Sequence, residues 1–376
     1  MLSSWFPACV PRQIRHAYRA CNVSTSVFDP DLPEYEGPAV GRWLHYGFAK
    51  SARPGSERDG KKTEARLVPG LHKLDMRDWF IVDGELIEGE LALKREALQG
   101  STREHRLQAS HVETYKAQRE LQDMVVHHLC DRYPSYYSLS RNGSVTLKTE
   151  RMETGVTLEP RKFEYPLEFI ASLVQEDVVL MQRDAATESY RMTAACVCFS
   201  FGDLVNRVSE KRDMEAIHRN VHGFKEDLLR PVNRVMKTLK VDSPIWRVNW
   251  SLTWSSDLLI TGSRYPTGDV ESAAQQKMDN DFDLVKRLQQ NGVGETLFQK
   301  AEYQTLVRLP INDDFILFTV RTFLEPLASI ESHPTVAAAL ASNIRTIADM
   351  DFARYKGLHN QQLREQVLEY LDGIKL

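Results

Sequence analysis

The sequence has few cysteines, no long apolar run and no excess of one charge, and each absence excludes a class of protein. Its five cysteines are odd in number and lack framework spacing, which indicates reduced thiols in an intracellular compartment. No apolar run approaches the roughly 18 residues that cross a bilayer, so we expect no membrane association. The 48 basic and 52 acidic residues leave a formal net charge of −4, which is too balanced for a nucleic-acid-binding surface.

Familiar catalytic signatures are also absent. The sequence contains no G-x-S-x-G nucleophile elbow, no P-loop, no H-E-x-x-H zinc motif and no G-x-G-x-x-G after a strand. The chain therefore has no evident module of its own for a nicotinamide or flavin dinucleotide. If its chemistry is redox, we expect the electrons to come from another protein. The balanced charge favours a small or neutral ligand.

Length and composition predict a large folded unit behind an N-terminal extension. With 376 residues, 42% of them apolar, the chain can build a sizeable core without disulfides. We expect residues 1–67 to be a partly disordered extension, because the stretch from Asp29 to Lys73 is rich in Pro, Gly and charge. The domain then covers residues 68–376 and carries a polar insertion at about 255–292.

The composition of the first residues bears on the cellular compartment of the protein. Residues 1–28 contain Arg12, Arg15 and Arg19 but no acidic residue, a composition similar to that of a mitochondrial transit peptide. Pro7 and Pro11 interrupt the helix that such a peptide forms. We therefore expect a cytoplasmic protein, with a mitochondrial location as the alternative.

Hydrophobic periodicity predicts the order of helices and strands. Composition and spacings of three and four predict helices over 88–98, 102–130, 334–348 and 359–373. Runs on either side of a turn predict an antiparallel hairpin of 178–182 with 189–201. Alternating apolar and polar residues predict strands over 245–254, 301–309 and 315–324. This order indicates an α+β fold with an antiparallel sheet.

Two histidines stand out in the stretch from Met214 to Phe224. His218 and His222 are four residues apart, so both imidazoles would share a face if Asp213 to Val221 were helical. Neutral imidazole is a common ligand of metals, which makes the pair candidate metal or haem ligands. The same spacing also occurs on ordinary solvated helices, and that alternative stays open.

The polar residues of the three late strands form a second constellation. It comprises Arg247, Asn249, Glu302, Gln304, Arg308 and Arg321. Arginines beside a cofactor commonly hold carboxylates or phosphates through paired hydrogen bonds, and a glutamate can pair with one of them or hold a cationic amine. Two alternatives are the solvated side of an antiparallel sheet and an Arg–Glu network that ties the strands together.

These segments together resemble the HRQ family, which includes the alpha subunit of haem-dependent oxidative N-demethylase. The similarity spans roughly residues 68–373 and is carried by the ordered segments 90–95 (ELALKR), 175–181 (QEDVVLM), 217–223 (IHRNVHG), 246–250 (WRVNW), 302–310 (EYQTLVRLP), 318–324 (FTVRTFL) and 355–357 (YKG). Several ordered segments are far more specific than any one of them.

The resemblance implies a PAS-like antiparallel sheet with substantial helical additions that encloses haem b. It also implies an oxygenase that uses dioxygen to remove a methyl group from a small methylated amine or a related substrate, with release of formaldehyde. Electrons would reach the iron from NADPH only indirectly, through a partner reductase. A non-catalytic PAS-like haem or small-molecule sensor is the alternative function.

Carried onto this chain, the family motif makes His218 the axial iron ligand. The resemblance also implies that Arg247, Asn249, Arg308 and Arg321 bind the cofactor, while Glu302 and Gln304 are catalytic. A non-haem metal site built from His218 and His222 is a third possibility. The chain departs from the family pattern at three places: His222 stands in place of Pro, Tyr303 in place of Arg, and residues 199–203 lack Pro-Ser-x-Trp. The resemblance therefore does not identify the substrate of this chain.

Overall fold

The computed structural model describes residues 66–200, 204–210, 212–219, 221, 223–259, 284–348, 356–358 and 360–375, together with three short segments between 52 and 63. Its strands are, in chain order, β1 (Ala52–Arg53), β2 (Ser56–Arg58), β3 (Lys61–Thr63), β4 (Arg66–Leu67), β5 (His72–Lys73), β6 (Leu107–Gln108), β7 (Tyr137–Leu139), β8 (Val145–Leu147), β9 (Val156–Leu158), β10 (Asp177–Arg183), β11 (Tyr190–Cys196), β12 (Ile245–Thr253), β13 (Phe298–Arg308) and β14 (Phe315–Pro326).

Helices precede, interrupt and follow these strands. They are α1 (Ile87–Gln99), α2 (Arg103–Arg106), α3 (Tyr115–Arg132), α4 (Pro166–Ala171), α5 (Leu204–Ser209), α6 (Met214–Ile217), α7 (Leu229–Thr238), α8 (described over 284–296), α9 (Pro334–Ile347) and α10 (Gln361–Gly373). Among the described helices, none has the length and apolar character needed to cross a bilayer.

A seven-stranded antiparallel sheet organises the domain. Its strand order is β5-β12-β13-β14-β10-β11-β6, so the long strands β12 to β14 lie beside the β10–β11 hairpin. Strands β7 to β9 form a separate small sheet. The predicted α+β class, the hairpin and the three late strands are confirmed. Alternation of apolar and polar residues located these strands because successive side chains point to opposite sides of a sheet.

The two faces of the sheet pack against different helices. The face that we call the large-core face carries Trp250, Tyr303 and Leu317 and packs against residues of α1, α3 and α4. The opposite face, the small-core face, carries Val179 and Ile316 and packs against α5, α6 and α7. Met214 and Ile217, in the first half of the histidine segment, therefore pack at the small-core face, whereas Val221 and Phe224 pack with the larger cluster.

One helix prediction is wrong at its start. The segment 102–130 was expected to be a single helix, but α2 ends at Arg106, β6 follows, and α3 begins only at Tyr115. Strand β6 pairs with β11, and the Ser110 hydroxyl accepts hydrogen bonds from the N–H groups of Val112 and Glu113. Val112 is 92% exposed, so its position in the three-and-four spacing does not correspond to a buried helix face.

Part of the predicted domain plan falls outside the described residues. The predicted N-terminal extension, 1–67, is described only from residue 52 onward, where β1 to β4 form two short ladders. Residues 260–283 of the predicted polar insertion also lie outside the described ranges, and its last part belongs to α8. The boundaries of both segments stay predictions.

Candidate functional site

His218 is positioned by a single turn of helix rather than by a long one. Asp213 caps α6 by accepting a hydrogen bond from the Ala216 N–H at 2.9 Å, and the helix ends with His218 as its C-terminal cap. Gly223 then adopts a φ of 81°, a conformation that favours glycine, before a π-helical turn over Phe224–Leu228 leads into α7.

The expected helix over Asp213 to Val221 is therefore wrong. His218 has φ −102° and ψ 16°, outside the helical region, and its carbonyl accepts a turn hydrogen bond from the Val221 N–H at 2.8 Å. The argument that His218 and His222 share a helical face fails for this reason. His222 itself lies outside the described residues.

The His218 ring has one nitrogen engaged and one available. Its Nδ1 lies 2.8 Å from the Met214 carbonyl oxygen, and because a carbonyl only accepts, Nδ1 must carry the proton. Among the described residues nothing hydrogen-bonds to Nε2. The ring stacks on Phe224 with 4.1 Å between centroids and 6° between planes. Burial lowers the pKa of His218 to about 4, so the imidazole is neutral at pH 7.

Two arginines also act on this imidazole. The charges of Arg207, on α5, and Arg247, on β12, further lower the pKa of His218. Sequence reasoning missed Arg207. Its only sequence signal is a basic residue three positions after Leu204 on a short amphipathic turn, which is a common pattern. The small-core face thus places two guanidinium groups near a neutral histidine.

Four of the predicted site residues form one hydrogen-bonded row across β12 and β13. Arg247 donates to the Pro69 carbonyl at 2.9 Å and to Gln304 Oε1 at 3.0 Å. Glu302 Oε2 accepts from Gln304 Nε2 at 3.2 Å and from Asn249 Nδ2 at 3.0 Å. Register places Asn249 opposite Glu302 and Arg247 opposite Gln304, which explains why the four side chains meet.

Two lysines join this row. Lys300 forms an ion pair with Glu302 Oε1 at 3.0 Å, and Lys356 donates to Asn249 Oδ1 at 2.8 Å. Burial alone raises the pKa of Glu302, but the Lys300 charge, the Asn249 amide and the Lys356 charge outweigh it, so the pKa lies below its usual range. Glu302 is therefore ionised at neutral pH. Burial, with the nearby Arg247 charge, lowers the pKa of Lys356 well below its usual range. With Arg247 and Lys300 beside the single Glu302 carboxylate, the row still has an excess of positive charge.

Arg308 lies on the same face but is committed to the backbone around α7. Its guanidinium donates to the Leu239 and Met236 carbonyl oxygens at 2.6 and 2.7 Å, to the Tyr190 hydroxyl at 2.7 Å, and to the Asp313 carbonyl. These contacts satisfy carbonyl groups at the C-terminal end of a helix. The structure therefore ties Arg308 to packing of α7 against the sheet.

Arg321 lies apart from the other predicted residues. It pairs in register with Tyr303 and so lies on the large-core face, opposite to Arg247. Its side chain is fully buried, forms an ion pair with Glu90 at 2.8 Å and packs over the Phe323 ring. Grouping Arg321 with the row on the small-core face was a mistake, because the alternation of β14 assigns it to the apolar side. The charge is tolerated there because Glu90 neutralises it.

The polar residues around Arg321 come from two of the segments that carry the family resemblance. Gln175 donates to Glu90 at 2.7 Å, and Lys94 donates to the carbonyl oxygens of Val174 and Glu176 at 2.9 and 2.6 Å. Burial raises the pKa of the Glu176 carboxyl to about 7, against the charges of Arg321 and Lys94. The segments 90–95 and 175–181 thus build a polar network inside the large core, away from His218.

Residues 70–367 match the family model described as haem-dependent oxidative N-demethylase, alpha subunit-like. The chain belongs to this family. The family is named for a haem-dependent oxidoreductase and for one subunit of it, so the name implies a haem and further subunits. A comparison with curated proteins gives no match.

The surroundings of His218 fit the haem that the family name implies. An iron-ligating histidine binds as neutral imidazole, and its other nitrogen commonly donates to a carbonyl or carboxylate, which is the arrangement at Nδ1. The positive charges of Arg207 and Arg247 suit haem carboxylates. Within the described part of the chain, no group of three or more His, Cys, Asp or Glu side chains is placed to hold a metal ion.

Proposed function

We propose that this chain is the haem-binding subunit of an oxidative N-demethylase that acts on a small methylated amine or a related substrate. His218 Nε2 is the iron ligand in this proposal. The observation that carries it is the half-buried neutral imidazole whose Nδ1 is fixed by the Met214 carbonyl while Nε2 makes no hydrogen bond to a described residue. Family membership supports the same assignment.

The neighbouring side chains have distinct roles in this proposal. Arg247 and Arg207 would hold the carboxylates of the haem, and Asn249 helps to hold the row that carries Arg247 in place. When bound, the haem supplies the activation of dioxygen that removes a methyl group as formaldehyde. The stacked Phe224 ring keeps the histidine plane fixed and excludes water from one side of it.

The catalytic role expected of Glu302 and Gln304 stays a prediction, and their contacts support a different role. Both oxygens of Glu302 are engaged, by Lys300 on one side and by Asn249 and Gln304 on the other. An ionised carboxylate in such contacts is a poor proton donor. In the proposed function, Glu302 balances the positive charge around the cofactor, and Gln304 links it to Arg247.

The engagement of both Glu302 oxygens also favours a second candidate function. If Glu302 and Gln304 only hold the cofactor, the chain could be a PAS-like haem-binding sensor without turnover. The PAS-like description of the sheet, the partner reductase and the cytoplasmic location stay predictions. Both functions require haem at His218, and they differ only in turnover.

Turnover separates the two functions. Haem-loaded protein is supplied with a reductase, NADPH and a panel of secondary methylamines, and formaldehyde is measured against NADPH oxidation. Formaldehyde in proportion to NADPH consumed, and its loss in His218→Ala, supports the demethylase. Reduction of the haem by the reductase without formaldehyde from any amine in the panel favours the sensor.

A further inference from the structure

Lys356 lies at the far end of the row that reaches Arg247, although no described contact joins the two side chains directly. Its side chain is 1% exposed, and Nζ donates to Asn249 Oδ1 at 2.8 Å and to the Trp250 carbonyl at 2.6 Å. From Asn249 the hydrogen bonds continue through Glu302 and Gln304 to the guanidinium of Arg247. Four consecutive hydrogen bonds therefore connect the lysine with the arginine.

The chemistry of these five side chains allows only one direction for each bond. Arginine can only donate, and an ionised glutamate can only accept. The Asn249 amide must therefore turn its nitrogen to Glu302 and its oxygen to Lys356. By the same argument, the Gln304 amide must turn its nitrogen to Glu302 and its oxygen to Arg247. The Glu302 carboxylate and the Arg247 guanidinium fix the direction of both amides, and the Lys356 Nζ–H completes the row at the Asn249 oxygen.

We infer that Lys356 is a positioning residue that fixes the direction of the Arg247 guanidinium through Asn249, Glu302 and Gln304. Without the lysine the Asn249 amide loses the hydrogen bond that its oxygen accepts from Nζ, and its orientation is restrained less tightly. Glu302 then loses a fixed donor, and the restraint on Gln304 and Arg247 weakens in turn. The consequence for haem binding rests on the proposed function, whereas the orientation of Arg247 does not.

The backbone around Lys356 is built to bring it to this position. The Leu252 N–H donates to the Lys356 carbonyl at 3.0 Å, so the segment lies directly against β12. Gly357 has a φ of 79°, and a Cβ placed there would lie 2.3 Å from the Leu252 carbonyl oxygen. Only glycine combines this conformation with such a close approach. The close approach requires glycine at this position, which gives a physical reason for Gly357.

A second buried lysine provides a matched control. Lys94 is also buried and also donates two hydrogen bonds, but both go to backbone carbonyls, those of Val174 and Glu176. It lies on α1 within the large core, and no described contact links it to Arg247. Lys356→Met and Lys94→Met each remove a buried amino group and leave similar volume. Both changes therefore cost stability, but only the first acts on the row.

The first experiment uses the full chain without haem. The Nε–H signal of Arg247 is observed by ¹H–¹⁵N NMR and assigned by its disappearance in Arg247→Lys. We expect this signal to shift or broaden in Lys356→Met and to stay at the wild-type position in Lys94→Met. An unmoved signal in Lys356→Met, or an equal shift in both variants, overturns the inference. Should Lys356→Met fail to fold, Asn249→Ala interrupts the same row and is held to the same criterion.

The second experiment measures haem affinity by titration of the Soret absorption. Lys356→Met should raise the haem dissociation constant by roughly two- to thirty-fold, the usual range for a residue that acts through a network. In an Arg247→Met background it should have no further effect, because the arginine it positions is gone. Additive effects contradict the inference. If the wild-type chain binds no haem, the proposed function fails, and the NMR comparison alone decides the role of Lys356.

Discussion

Glu176 provides a sharp test of the buried charge network. Its side chain is 1% exposed just before β10, and one carboxyl oxygen accepts a hydrogen bond from the Ile81 N–H at 2.8 Å. Glu176→Gln keeps the size of the side chain and an oxygen for Ile81, but it cannot ionise. The variant therefore removes the ionisable group and keeps the packing and the hydrogen bond to Ile81.

The expected magnitude follows from the pKa of the two states. Burial raises the pKa of Glu176 from 4.5 to about 7 in the folded protein. A raised pKa means that the folded state holds the proton more tightly, so its stabilising contribution is complete below pH 4.5 and is lost as pH rises through 7. About 2.5 pH units at about 1.4 kcal/mol per unit give roughly 3 kcal/mol.

Urea denaturation between pH 4.5 and 8 measures this effect. The free energy of unfolding of Glu176→Gln, relative to wild type, should rise by about 3 kcal/mol across that range. Glu302→Gln is the opposite control, because its pKa is lowered in the folded state and its stabilising contribution is present above the unfolded pKa. The stability that this variant loses should therefore be nearly constant from about pH 5 to pH 8 and should shrink only below pH 4.5, as pH falls through the lowered pKa. A difference for Glu176→Gln that does not change with pH refutes the reasoning.

Two further variants test specific packing claims. Arg321→Met leaves the buried Glu90 carboxylate without its partner and should lower the free energy of unfolding by about 3–5 kcal/mol, measured in urea, while the haem Soret maximum stays at the wild-type wavelength. A shifted Soret maximum would instead indicate that Arg321 contributes to the cofactor site. Gly357→Ala should cost about 1–3 kcal/mol through backbone strain and overlap with Leu252. Gly89→Ala, in α1 with no atom within 4 Å of the added Cβ, should be neutral or stabilising by up to about 1 kcal/mol in the same assay. Equal losses for the two glycine variants would contradict the close approach of Gly357 to β12.

The sheet could be predicted from the sequence because its strands alternate cleanly. In β12, Trp250 and Val248 point to the large core while Arg247 and Asn249 point to the other face, as the alternation predicts. Register then brings Asn249 and Glu302 together, although they are distant in sequence. Alternation alone does not give register, so the hydrogen-bonded row itself became visible only in three dimensions.

The histidine segment was harder to predict because its local signals conflict. Spacing favoured a helix through Val221, whereas a C-terminal cap at His218 and a left-handed Gly223 end the helix after one turn. Arg321 was misplaced for another reason: its polar character was given more weight than its position in an apolar alternation. A buried ion pair such as Arg321–Glu90 depends on a partner far along the chain, which no local pattern reveals.

The absorption spectrum on titration with haem tests the central claim most directly. Purified wild-type protein should bind one equivalent of haem with a defined Soret band, and His218→Ala should lose or clearly shift that band. His105→Ala, which changes an exposed histidine on α2, should leave the band unchanged. A His218→Ala spectrum identical to that of wild type would contradict the assignment of His218 as the iron ligand.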